Sequence, residues 1–193
     1  MSTNNTNYSR FFYPPGGILI WMIVFLEIIT FGIALIGLMY YGQQETEVFH
    51  LSRLKLNVTF GVVNTLFLLT SGYFMARSVQ SFREKDVIGA SRFMKIALVG
   101  GAIFVIIKTI EYYAKINAGL TLDKNMFFTF YWLLTGFHLV HVLVGMVILI
   151  IINLKMNQKN TSIKLDDVEA GAAFWHLCDL VWVLLFPALY LIF

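Results

Sequence analysis

Residues 126–152 read MFFTFYWLLTGFHLVHVLVGMVILIII, a stretch with no lysine, arginine, aspartate or glutamate. A helix needs about 20 apolar residues to cross the hydrocarbon core of a bilayer, so this run is long enough to span one with some tilt. Four further runs share its character, at 17–41, 57–79, 96–116 and 170–193. Lipid offers no partner to a bare backbone N–H or C=O, so each run must satisfy itself as a helix. The connections are short, which favours an up-and-down arrangement. The reading is therefore an all-α, integral membrane bundle of five transmembrane helices. It forms one domain over 17–193, with a polar N-terminal segment at 1–16 in front of it.

Composition agrees. Of 193 residues, 59% are hydrophobic and only 13% charged, with a mean hydropathy of +0.75. A soluble domain carries roughly a quarter charged residues, so lipid is the solvent that suits this chain. The net charge of +3 does not indicate nucleic acid, because the basic residues lie in the loops between apolar runs and form no patch. Nine of them (Arg10, Arg77, Arg83, Lys85, Arg92, Lys95, Lys155, Lys159 and Lys164) fall on one side of the expected bundle. Four (Arg53, Lys55, Lys115 and Lys124) fall on the other, and Lys108 is left within a span. The positive-inside rule then places the N-terminus in the cytoplasm and the C-terminus outside. A single cysteine, Cys178, excludes an intrachain disulfide and any cysteine-based zinc or iron–sulfur cage; its apolar surroundings suit a small core residue. The first sixteen residues show no small-residue cleavage site, and the first apolar run is too long for a signal peptide.

A charged side chain in hydrocarbon costs about 3 kcal/mol on insertion scales, so the polar residues inside the spans need reasons. They are Glu27 in the first span, Lys108 and Glu111 in the third, His138 and His141 in the fourth, and His176 and Asp179 in the fifth. Lys108 and Glu111 share a helix face and can neutralise each other. His176 and Asp179 share another, where the carboxylate can fix the imidazole tautomer. Three readings stay open on spacing alone: polar glue between helices, a metal or haem site built from His-x-x-His and His-x-x-Asp, and a proton path. Glu27 suits the last, having no charged neighbour on its own helix. Glycines at 32, 37, 100, 101, 136 and 145 allow close helix approach, 153–167 reads as the longest linker, and Tyr13-Pro14-Pro15-Gly16-Gly17 opens the first span. Pro187 should kink the last helix near its outer end. The inverted repeat common in secondary transporters is not evident, which disfavours a small ion transporter.

Several of these motifs lie in a familiar order. Thr135-Gly136-Phe137-His138-Leu139-Val140-His141 followed by Gly145 resembles the T-G-F-H-x-x-H-x-x-x-G signature of haem–copper oxidase subunit III. Glu169-Ala170-Gly171, then Trp175-His176-Leu177-Cys178-Asp179-Leu180-Val181-Trp182, resembles its E-A-G and W-H-x-x-D-x-x-W. Glu111-Tyr112-Tyr113 is similar to the family's E-Y-Y, and Asn64-Thr65 through Ser71-Gly72 to its N-T-x-x-L-x-x-S-G. Glu27 falls where the family has a carboxylate midway along a helix, although the preceding serine is Leu26 here.

The resemblance implies a non-catalytic subunit of a proton-translocating, oxygen-reducing complex in a bacterial inner membrane. Haem and copper would sit in the partner, subunit I, with subunit II also present and electrons arriving from cytochrome c or quinol. Phospholipid and a larger respiratory supercomplex are further partners it suggests. It implies a proton-uptake role for Glu27, and structural or lipid-associated roles, not metal ligation, for Glu111, His138, His141, His176 and Asp179. Larger members have seven helices, and this chain starts where their third would be, a loss of two that preserves topology. The ending Leu185-Phe186-Pro187-Ala188-Leu189-Tyr190 is also similar to homologues associated with nitric oxide reductases, the first alternative. An intramembrane metal-dependent enzyme using the three span histidines and Asp179 is the alternative from another class.

Overall fold

A computed structural model of the chain describes residues 16–158 and 163–193. Residues 1–15 of the expected N-terminal segment, with Arg10 and Tyr13-Pro14-Pro15, and Lys159 lie outside the described residues. The elements are α1 (Ile18–Gln44), α2 (Thr46–Arg53), α3 (Val58–Arg83), α4 (Val87–Asn117), α5 (Met126–Met156) and α6 (Leu165–Tyr190), with no strand among the described residues. All but α2 are long and apolar enough to cross a membrane.

The helix starts follow from local chemistry. Asn57, Asp86 and Asn125 each accept a hydrogen bond from a backbone N–H in the first turn of α3, α4 and α5, which satisfies donors that the helix leaves free. The Lys164 N–H donates to Asp167 Oδ2 at 3.2 Å at the start of α6. After α4 the chain turns at Gly119, whose φ of 67° suits a residue without a Cβ.

Several boundaries differ from the apolar runs. α4 begins at Val87, not 96, because the hydropathy signal marks where hydrocarbon begins and not where the helix does. In the extra turns Ala90, Ser91 and Met94 face inward while Arg92 and Lys95 face out. The linker read at 153–167 is shorter: α5 runs on to Met156, held by Ser91 Oγ donating to Asn153 Oδ1 at 2.7 Å, and α6 starts at Leu165. α6 ends at Tyr190, three residues beyond Pro187, and not at 193. The small amphipathic helix α2, which buries Phe49 and Ser52, has no counterpart in the sequence reading.

Helices α3, α4, α5 and α6 pack in a ring: α3 on α4, α4 on α5, α5 on α6, and α6 back on α3. The α3–α4 hairpin is the closest pair. There Ser78 Oγ donates to Ala90 O and Ser71 Oγ to Ala97 O, each at 2.7 Å, and a Cβ on Gly100 would come within 2.8 Å of Ser71 Cβ. Helix α1 lies outside the ring over α5 and α6 and is the least buried span, whereas α6 is the most buried. The residues facing the inside of the ring include Trp175, Trp182, Phe104, Tyr131 and Tyr190, and they form the core.

Candidate functional site

The inside of the ring holds an ion pair. Lys108 and Glu111 are one helical turn apart on α4, neither more than 1% exposed, with Nζ 3.0 Å from Glu111 Oε2. Two phenols complete the cluster. Lys108 Nζ donates to Tyr190 Oη at 2.8 Å and to Tyr131 Oη at 3.3 Å, and both hydroxyls donate in turn to Glu111 Oε1, at 2.7 and 3.0 Å. Each tyrosine oxygen thus accepts from the cation and donates to the anion. The ammonium also lies 4.9–5.5 Å from the ring centroids of Tyr131, Tyr112, Trp182 and Tyr190. Cation–π attraction strengthens when the cation is desolvated, so these faces replace part of the lost hydration.

His138 is buried in the next layer. It stacks on Trp182 with centroids 5.3 Å apart and meets Phe104 edge-on at 5.6 Å. Neither ring nitrogen has a hydrogen-bond partner among the described residues, and the same holds for the side chain of Asn64. Trp182 Nε1 donates to Thr65 Oγ1 at 2.9 Å, and Trp175 Nε1 to Ser71 Oγ at 3.0 Å, so the Asn64-Thr65…Ser71-Gly72 motif is where α3 receives the two tryptophans of α6.

Glu27 and His141 meet at the contact of α1 with α5, where Oε1 is 3.2 Å from His141 Nε2 and both side chains are about six-sevenths buried, at 15% and 14% exposure. Glu27 therefore has a partner, supplied by another helix, and is not the isolated carboxyl suggested by its own helix. His141 Nδ1 is 2.8 Å from the Phe137 carbonyl of its own helix, an acceptor only, which leaves Nε2 as the nitrogen that faces Glu27.

His176 and Asp179 form a third centre on α6, with Nδ1 3.2 Å from Oδ2. The carboxylate is packed against the α3 backbone at Gly72, where a Cβ would collide with Oδ2. His138, His141, His176 and Asp179 are thus parcelled out to different neighbours. Among the described residues no three histidine, cysteine or carboxylate side chains come together in a metal-binding arrangement. The sequence reading missed the tyrosine cage around Lys108 and the Arg83–Glu169 ion pair, where Nη2 lies 2.7 Å from Oε1. Tyr131 falls one helical turn before Thr135, a register signal that could have pointed to the cage.

The profile of the family Cytochrome c oxidase subunit III matches residues 53–192. The chain belongs to the cytochrome c oxidase subunit III family. It is 30% identical over 142 residues to cytochrome c oxidase subunit 3 of Corynebacterium diphtheriae, an alignment covering 71% of this chain and 67% of that protein. With cytochrome c oxidase subunit 3 of Synechocystis the figures are 30% over 132 residues, 67% of this chain and 55% of the other. The heme-copper oxidase subunit I+III of Aeropyrum pernix is 25% identical over 179 residues, which is 89% of this chain and 22% of that protein. The subunit III profile takes in the Lys108 cluster, His138, His141, His176 and Asp179. Glu27 and the rest of α1 precede it, so the carboxylate of the Glu27–His141 pair lies outside the profile match.

Proposed function

We propose that this chain is the non-catalytic subunit III of a proton-translocating haem–copper terminal oxidase. In this reading it sits in a bacterial inner membrane with its N-terminus in the cytoplasm. The observation that carries the proposal is the family match over 53–192, which takes in the four spans of the ring. Haem and copper belong to the catalytic partner, which takes electrons from cytochrome c or quinol and reduces oxygen. Subunit II completes the assembly. The name of the Aeropyrum relative joins subunits I and III in one protein, which supports a permanent association.

Within that complex, this chain supports proton uptake and steadies the catalytic subunit. Glu27, which meets His141 at the contact of α1 with α5, is the carboxylate assigned to proton uptake in this reading. In the enclosed Lys108–Glu111–Tyr131–Tyr190 cluster every donor faces an acceptor, which suits a structural role. Phospholipid binding is supported by a hollow lined by Ser91, Arg92, Lys95 and Asn157 on the expected cytoplasmic side, where cations and amide groups suit a headgroup phosphate.

A mild-detergent affinity pull-down, read by optical spectroscopy and metal analysis, tests the proposal. Haem and copper recovered with a large partner, and none on the isolated chain, are the expected result. Haem with non-haem iron would identify a nitric oxide reductase partner instead, and metal bound stoichiometrically to the lone chain would refute the assignment.

A further inference from the structure

Helix α4 has 31 residues, about 46 Å at 1.5 Å per residue, against a hydrocarbon core of about 30 Å. It therefore carries its ends out of the core. The unbroken apolar run begins at Ile96, so Lys95 and Arg92 stand about 2 and 6 Å beyond the hydrocarbon edge, within the headgroup layer. Arg92, Lys95, Ile96 and Val99 share one exposed face of α4, which lines a hollow of about 520 Å³. Ser91 and Asn157, at the end of α5, complete its polar wall. Hydrogen bonds pin that wall: Asn157 Nδ2 donates to Ser91 Oγ at 3.1 Å and to Asn153 O at 2.8 Å, and Ser91 Oγ donates to Asn153 Oδ1 at 2.7 Å. Both amide hydrogens of Asn157 are thus engaged, and the donors left for an occupant belong to the two cations.

Charge separates this hollow from two others at the same end of the bundle. One brings Lys155 together with Asp167, and the other lies beside Arg83, which is bound to Glu169. Among the described residues no carboxylate lines the Arg92–Lys95 hollow, and neither cation makes an ion pair or a side-chain hydrogen bond. A phosphate at that depth can accept from both, with the arginine fork suited to two of its oxygens. A zwitterionic headgroup also brings an ammonium, for which the hollow offers no acidic partner. A headgroup of net negative charge brings none. Ile96 and Val99, 38% and 59% exposed, carry the same face on into the hydrocarbon, where an acyl chain can lie against them. The face thus meets a phosphate first and hydrocarbon after it, the order in which a lipid presents them.

We propose that the hollow at the Arg92 end of the α4–α5 seam is a selective site for an anionic phospholipid, with Arg92 and Lys95 holding its phosphate and Ile96 and Val99 its acyl chain. This rests on the lipid-binding reading of the chain and adds the charge of the headgroup and the two residues that select it.

The full-length chain, stripped of lipid in detergent, is titrated separately with dioleoylphosphatidylglycerol, dioleoylphosphatidylcholine and inorganic phosphate, and bound adducts are measured by native mass spectrometry. Phosphatidylglycerol should bind roughly tenfold more tightly than phosphatidylcholine, and Arg92→Gln and Lys95→Gln should each weaken it about fivefold, the double variant about 25-fold. These variants should melt as the wild type does, because both side chains are exposed. Arg77→Gln removes an arginine outside the hollow, whose guanidinium lies over the Phe93 ring, and should leave binding unchanged. Equal affinity for the two lipids, or wild-type binding by the double variant, would overturn the site. An equal loss with Arg77→Gln would overturn it in favour of general surface charge. Inorganic phosphate bound as tightly as phosphatidylglycerol would make the ligand a free anion and overturn the lipid. The subunit reading is decided separately by haem recovery in the pull-down, which can succeed while lipid selectivity fails, or the reverse.

Discussion

Replacing Lys108 by methionine should be among the most damaging single changes in this bundle, and a second change at Glu111 should repair much of it. Methionine fits the space of the lysine stem but leaves Glu111 without its cation. At the observed 3.0 Å, the attraction of unit charges is about 5 kcal/mol at an effective dielectric constant of 20. Solvent screening does not reduce it much, because neither side chain is more than 1% exposed. Glu111 keeps the two tyrosine hydroxyls that donate to Oε1. Removing one partner of a buried pair typically costs about 3–5 kcal/mol, and these retained bonds place Lys108→Met near the lower end of that range.

Glu111→Gln keeps an acceptor for both tyrosines while removing the stranded charge. In the double variant Lys108→Met/Glu111→Gln the loss should fall to about 1 kcal/mol, because a neutral, hydrogen-bonded replacement of a buried pair is often nearly costless. Thermal unfolding of wild type, both single variants and the double variant in one detergent gives a complete cycle. A coupling above about 2 kcal/mol, close to a 30-fold change in the folded-to-unfolded ratio, is expected. Coupling below about 0.5 kcal/mol would mean that the two groups do not depend on each other, and would refute the description of an enclosed pair.

Glu27→Ala should leave the bundle and its haem recovery intact but slow proton uptake or shorten the active lifetime of the oxidase; unchanged values for both would remove Glu27 from the mechanism. Ser71→Ala should cost about 1–3 kcal/mol in thermal unfolding, since it strands the buried Trp175 Nε1, whereas Trp175→Leu/Ser71→Ala should show no further loss from Ser71; full additivity would argue against that bond. Cys178 is buried among apolar residues, so a maleimide should label it only after denaturation, and rapid labelling of the folded chain would contradict the packing of α6.

The spans were legible because hydrocarbon imposes one rule on every residue it touches, so runs near 20 apolar positions announce themselves. The ends were not, because helix termini are set by capping side chains such as Asp86 and Asn125, which lie outside the apolar signal. Helix α2 was missed for a related reason: a short amphipathic helix at a membrane edge carries too little hydropathy to stand out. The polar sites were legible as residues and hidden as pairs. Lys108 with Glu111, and His176 with Asp179, lie one turn apart on a single helix, and spacing brings them together. The partner of Glu27 is His141, on a helix more than 100 positions later in the chain, and no periodicity on α1 can name it.

That distinction bears on function. A same-helix pair forms as soon as its helix does and reports little about assembly. A pair between α1 and α5 exists only when the least buried span is seated on the ring, so the contact of Glu27 with His141 depends on that seating. Loosening α1 without touching either residue should therefore impair proton uptake as Glu27→Ala is expected to. Leu38 is fully buried on α1 and away from both groups in sequence. Leu38→Ala should cost about 2–5 kcal/mol through the cavity it leaves. If proton uptake falls with Leu38→Ala while haem recovery stays constant, the seating of α1 controls the pair. If uptake is unchanged although the melting transition has dropped, the pair is held by something other than the contact of α1 with the ring.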